Sequence, residues 1–167
     1  ARMLRQGEAD IGVATETLGD VPELVSFPYY SWHHAVIVPV GHPLQSAESL
    51  TLETIAEYPI ITYHEGFTGR ALIERSFSDA GVVPDIVMSA MDSDVIKSYV
   101  ELDMGIGVIA AVAFEPERDS SLALLPCDDL FAANQTLIAV RRNHLLRRYA
   151  YRFIELCAPA LTETSVM

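Results

Sequence analysis

The residues of this chain best suited to chemistry are neutral hydrogen-bond donors placed where a strand hands over to a helix. Thr62-Tyr63-His64-Glu65-Gly66-Phe67-Thr68-Gly69-Arg70 carries a glycine-containing loop into an amphipathic stretch. At such a junction the first backbone N–H groups lack intrahelical acceptors and lie at the positive end of the helix dipole. With a threonine hydroxyl they can hold an anion without a formal cation. In open α/β sheets ligands gather outside the carboxyl ends of the strands, where this loop falls. Thr15 and Thr17 stand at the end of another short apolar run, residues 10–15, and Trp32 offers an indole N–H and an apolar wall. As a set these residues suggest a pocket of neutral donors for a small anion. The plainer alternative is that Thr68 only caps a helix and Arg70 is a solvated charge.

Other chemistries find less support. His33, His34, His42 and His64 are general bases in principle. However, no serine lies on a G-x-S-x-G elbow, there is no HExxH, and neither Cys127 nor Cys157 has a base beside it in sequence. No catalytic residue is therefore assigned. The cysteines form no CxxC and have no histidine at metal-ligand spacing, which argues against a metal site or a disulfide framework and suits a reducing cytoplasm. Gly105-Ile106-Gly107-Val108-Ile109-Ala110 has the letters of a dinucleotide fingerprint, but it follows a helix and opens a strand, the reverse of what a pyrophosphate requires. A helix stop with tight packing explains it, and no cofactor is expected.

The elements that must position these residues can be traced along the chain. Residues 1–5 read as the end of a helix stopped by Gly7, and residues 10–15 as a short buried strand. Residues 35–40 form a strand run broken by Gly41-His42-Pro43-Leu44. Thr51 caps a short helix bearing Leu52, Ile55 and Ala56, which Tyr58-Pro59 ends before the strand 60–63. The helix after Gly69 carries Leu72, Ile73, Phe77 and Ala80 and stops at Gly81. A strand at 85–89 follows, then a helix capped by Asp92 or Ser93 with Val95, Ile96, Tyr99 and Val100, closed by Gly105 ahead of the apolar run 106–111. The last elements are a strand at 137–140 and a helix with Leu145, Tyr149, Phe153, Leu156 and Ala160 on one face. Repeated strand–helix–strand order is the pattern of a parallel α/β sheet.

Composition bounds the reading. With 167 residues, half of them hydrophobic, the chain can bury a real core as one large domain or two small lobes. The net charge of −12 repels DNA and anionic lipid. Residues 141–167 are the exception, holding five arginines and two glutamates, which read as a solvated face complementing the acidic body. No apolar run approaches the roughly 20 residues of a membrane span, and the first 15 residues carry no apolar signal segment.

Several of these segments together carry a family resemblance. Gly7-Glu8-Ala9-Asp10-Ile11-Gly12-Val13-Ala14-Thr15-Glu16, Tyr30-Ser31-Trp32, Gly41-His42-Pro43-Leu44, the 62–70 segment, Asp92-Ser93-Asp94-Val95-Ile96-Lys97-Ser98-Tyr99-Val100 and the 105–110 run resemble the effector-binding domain of LysR-type transcriptional regulators. Within that family they are similar to the CysB/Cbl-like subgroup, which governs cysteine biosynthesis and sulfur assimilation. The Gly-Glu-Ala-Asp-Ile and His-Pro-Leu elements are family-wide, whereas Ala14-Thr15-Glu16, Trp32 and Gly66-Phe67-Thr68-Gly69-Arg70 are the more selective ones.

The resemblance implies an α/β fold of two Rossmann-like lobes, as in type II periplasmic binding proteins, with the ligand in a cleft between them. Lobe I would comprise residues 1–28 and 134–167 and lobe II residues 29–133. The implied effector and anion site is Thr15, Trp32 and Thr68, with Gly69 and Arg70 continuing the helix-start motif. The implied ligands are O- or N-acetylserine as inducer, sulfate in the cleft, and sulfide or thiosulfate as anti-inducers. A cytoplasmic homodimer or homotetramer is implied, with no membrane partner. Promoter DNA would be reached only through an N-terminal winged helix-turn-helix that these residues do not include. The family's first strand, which supplies the other wall of the anion site, is also not among them, so lobe I is expected to be incomplete at its N-terminal side. The competing readings are a solute-binding protein for a sulfur-containing or amino-acid-like ligand, and a small enzyme acting on an acyl-serine through His33 or His64.

Overall fold

Short apolar runs punctuated by glycine, proline and capping residues become strands and helices in the computed structural model, which describes residues 1–15 and 21–161. Thr17, named above as a candidate donor, lies outside the described residues, as does Glu16. The chain divides into two compact units, one of residues 1–31 with 134–167 and the other Trp32–Ala133. The first boundary therefore falls at Ser31, three residues beyond the Pro28-Tyr29 crossing implied by the resemblance.

In the 32–133 unit a five-stranded sheet runs in the order β5-β4-β6-β3-β7, where β3 is His34–Pro39, β4 Ile60–Tyr63, β5 Ile86–Ala90, β6 Ile106–Ala110 and β7 Leu122–Pro126. β4 pairs in parallel with β5 and β6, while β3 runs antiparallel to both β6 and β7. The sheet is thus mixed, where the strand–helix–strand order alone points to a parallel one. Helical crossovers make neighbours parallel only around β4, and β3 comes back between β6 and β7 in the opposite sense.

Alternation along β3 feeds two cores. Val36 and Val38 pack with Ile60, Ile73, Phe77 and Phe131, whereas Ile37 packs with Ile61, Ile96, Val100 and Ile109. Helix α3 (Thr68–Asp79) buries Gly69, Ile73 and Phe77, one position per turn, into the first core. Helix α4 (Ser93–Glu101) buries Ile96 and Val100 into the second. The predicted caps operate as local chemistry requires. Thr51 forms a capping box with Thr54 at the start of the short α2 (Leu52–Ala56). Asp92, rather than Ser93, accepts the Val95 N–H at 2.9 Å. At Gly105 a side chain is excluded, because a Cβ there would lie 2.5 Å from the Pro59 carbonyl oxygen, and Gly107 has the same constraint 2.5 Å from Ile37. The 105–110 glycines thus serve close packing at the entrance to β6.

The other unit holds a three-stranded sheet, β1-β8-β2, of β1 Ile11–Thr15, β2 Leu24–Trp32 and β8 Asn134–Arg141, with β1 and β8 antiparallel. β8 sends Ile138 and Val140 to helix α5 (Arg148–Cys157) and Ala139 to helix α1 (Arg2–Gln6), where it meets Leu4 and Leu24. The expected face of the last helix is corrected. α5 buries Ala150, Tyr151 and Ile154, while Tyr149, Phe153 and Leu156 are 61%, 48% and 67% exposed. Leu145 precedes the helix and Ala160 follows it. Two apolar stripes at helical spacing coexist in this sequence, and the sheet selects the one headed by Ala150. Strands β2 and β7 were not foreseen. β2 carries Pro28 and is half exposed along its length, a pattern tolerated at the sheet edge it occupies.

Candidate functional site

The predicted anion loop forms where β4 ends. Thr62 is fully buried and its hydroxyl donates to the Val108 carbonyl at 2.8 Å, which locks the end of β4 to β6. Next to it the Tyr63 hydroxyl accepts the Ala110 N–H at 2.9 Å and pairs with Ser93 Oγ at 2.8 Å, tying the same strand end to the tip of β6 and the start of α4. The loop then turns at Gly66, whose φ of 98° lies in the left-handed region. The exposed Phe67 is the N-cap of α3 and makes no side-chain capping bond.

Thr68 is therefore the first helical residue and not the cap, half-buried with its hydroxyl uninvolved in capping α3. Thr68 and Gly69 are the residues whose N–H groups precede the first intrahelical bonds, since the Phe67 carbonyl already accepts from Arg70 and Ala71. No acidic residue stands in this first turn. The helix start keeps its positive end undiluted.

Arg70 is 5% exposed, which removes the solvated-charge alternative. Its guanidinium donates to the Tyr63 carbonyl at 2.9 Å, Ser89 Oγ at 3.1 Å and Glu74 Oε1 at 2.9 Å. These bonds staple the first turn of α3 to the ends of β4 and β5. Gly69 lies flat against the sheet. A Cβ there would come within 2.9 Å of His34 Nε2 and 3.5 Å of the Trp32 ring. Trp32 and His34 meet edge to face, with ring centroids 5.1 Å apart, and Phe131 closes the far side of His34 at 5.8 Å.

Burial, followed by the neighbouring His33, pushes His34 down to about 4, so it is a neutral packing residue at ordinary pH. Cys127 donates to the His34 carbonyl at 3.3 Å, and burial pushes its thiol up to about 12, which removes it as a nucleophile. His42 Nδ1 accepts the Leu44 N–H and its pKa is lowered by burial. The histidines considered as bases at 34 and 42 thus have structural work.

The structure brings Trp32, Thr68, Gly69 and Arg70 to one place in the 32–133 unit. Thr15 ends β1 in the other unit, half-buried and in register with Thr136. Sequence reasoning missed Tyr63, Ser89 and His34 as the residues that fix this helix start. Among the described residues no group of three or more His, Cys, Asp or Glu could hold a metal ion, and no helix is long and apolar enough to cross a membrane.

In this mixed α/β unit the strand ends carry a helix start whose cation, Arg70, is turned inward to Tyr63 and Ser89. The chain belongs to the LysR substrate-binding domain family, which matches residues 1–162. It is 55% identical over 99% of its length to the HTH-type transcriptional regulator SsuR of Burkholderia cenocepacia, of which it covers 54%. It is 47% identical to CysB of the same organism over 96% of this chain and 51% of that protein. To Cbl of Escherichia coli K12 it is 46% identical over 97% of this chain and 51% of that protein. The chain thus spans about half the length of these relatives, which are named as transcriptional regulators and not as enzymes. The crystal structure of the cofactor-binding domain of the Cbl regulator superposes with a TM-score of 0.91 at 45% identity, covering 99% of this chain and 75% of that one. The fold alone is shared with the effector-binding domain of QuiR in complex with shikimate, with a TM-score of 0.80 at 18% identity over 96% of this chain and 75% of that one.

Proposed function

We propose that this chain is the effector-sensing part of a LysR-type transcriptional regulator of cysteine biosynthesis and sulfur assimilation. It senses O- or N-acetylserine and sulfate-like anions through Thr15, Trp32, Thr68 and Gly69. The observation that carries the ligand class is the start of α3, an acid-free first turn with a non-capping threonine hydroxyl, held on the sheet by Arg70. Arg70 acts as a positioning residue, because its Nε donates to Glu74 and its Nη1 to Tyr63 and Ser89. A neutral site of this kind suits an anion that must be released as metabolite levels change, since it avoids the strong pairing of a buried guanidinium.

Acetylserine acts by binding one conformation of the protein better than another, because equal affinity for both shifts nothing. On this reading the whole protein is a cytoplasmic homodimer or homotetramer and contacts promoter DNA through a winged helix-turn-helix outside residues 1–167. Sulfide or thiosulfate opposes the inducer. Calorimetric titration with N-acetylserine, repeated in saturating sulfate, tests the reading. Saturable heat that sulfate alters, with no product formed, is the expected result; steady conversion of the ligand overturns it. Thr68→Ala weakens the binding by about 1–2 kcal/mol if the hydroxyl bonds the anion. An unchanged affinity removes that role.

A further inference from the structure

Away from the α3 start, four of the chain's 11 Lys and Arg residues line one open hollow of about 710 Å³. They are Arg2 and Arg5 of α1, and Arg141 and Arg142 at the end of β8. Among the described residues that line it, Glu23 is the one carboxylate. In a chain with a net charge of −12, this is a local reversal of sign.

The arrangement follows from the fold. Arg2 and Arg5 are exposed and stand one turn apart on α1, whose Leu4 is buried. Asn143, with φ of 55°, turns the chain sharply just after the two adjacent arginines. Arg142 fixes the facing wall, since its backbone N–H donates to the Glu23 carbonyl at 2.8 Å, its Nε to Pro22 at 3.1 Å and its Nη2 to Leu24 at 3.3 Å. Arg5 pairs with Glu23 at 3.0 Å, both half-exposed. Of the four guanidinium groups Arg5 pairs with Glu23, Arg142 is held by main-chain carbonyls and Arg141 Nη2 lies 2.8 Å from His144 Nδ1, so the cluster is short of carboxylates and its like charge is open to an anion.

We propose that this hollow is a second anion site, separate from Thr68, for a small phosphate-type compound carrying more than one negative charge. Guanidinium forks match the paired oxygens of such a group. The volume lies in the range of small-molecule pockets and exceeds what a single tetrahedral oxyanion fills. The remaining wall, Gln6 and Asn143, supplies amides for a polar body.

Titration of the chain with inorganic pyrophosphate at low salt tests the proposal. Saturable binding is expected, weakened roughly five- to tenfold by Arg2→Ala or Arg141→Ala. Glu23→Gln is expected to tighten it, because the competing carboxylate is gone. Thr68→Ala is expected to leave it unchanged. Thermal melts of the arginine variants, which alter a surface hollow, check that the fold is retained. The proposal is overturned if pyrophosphate shows no saturation, if the arginine variants bind as well as the parent, or if Thr68→Ala abolishes the binding. A random-sequence DNA duplex that displaces pyrophosphate overturns the small-molecule assignment.

Discussion

Gly69 has no room for a side chain, and that constraint shapes the site at the residue scale. A methyl group at this position would press on His34 Nε2 at 2.9 Å, so either the ring or the first turn of α3 must move. Gly69→Ala is expected to destabilise the fold by about 1–3 kcal/mol and to weaken acetylserine binding, as read from urea unfolding and calorimetry. Unaltered stability would show that the imidazole yields freely. His34 itself gives a pH signature. Its folded value of about 4 lies below the ordinary 6.5, so between these values the unfolded chain binds the proton that the folded chain refuses. The contribution is fully present above pH 6.5 and is lost as the pH falls toward 4, by up to about 3 kcal/mol. His34→Phe is expected to flatten that part of the stability–pH curve. A curve of unchanged slope would assign it to other groups.

At the scale of elements, α4 is tied to the segment preceding β7 by a buried ion pair. Lys97 Nζ lies 2.8 Å from Asp119 Oδ2, and the same oxygen accepts the Glu115 N–H at 2.8 Å. Asp94 adds a second carboxylate at 3.4 Å and also holds Arg118 at 3.1 Å. Burial works against both charges, but the bonds prevail, so Lys97 is raised and Asp119 lowered from their ordinary values. Removing one partner strands the other in the protein interior. Asp119→Asn is expected to cost about 3 kcal/mol in urea unfolding. A loss below about 1 kcal/mol would mean that Asp94 takes over the ammonium.

At the scale of the whole molecule, a ligand that binds only the folded chain stabilises it by mass action. N-acetylserine at a hundredfold excess over its Kd is expected to add about 2.7 kcal/mol. A thermal melt reads this as a rise in Tm that vanishes in Thr68→Ala if that residue carries the affinity. A melt unmoved by N-acetylserine but raised by sulfate would give the site to the inorganic anion alone. The net charge of −12 makes the control important, since any salt screens self-repulsion, and chloride at matched ionic strength separates that effect from binding.

The local features of this protein were legible without coordinates wherever one residue type has one physical use. Thr51 and Asp92 as caps, Gly7 and Gly81 as helix stops, and the strand–loop–helix passage through Thr68 all follow from backbone hydrogen bonding and φ alone. So does the rejection of the 105–110 glycines as a nucleotide loop, which rests on their position after a helix. The family, too, was readable in its motifs. Tertiary structure decided what those local rules leave degenerate. It turned Arg70 inward to Tyr63 and Ser89, set β3 antiparallel to its neighbours, placed β2 and β7 at sheet edges, and buried the Ala150 stripe of α5 in place of the Tyr149 stripe. Periodicity names the faces an element offers, but only the partner that packs against it, brought from far along the chain, selects which face is buried.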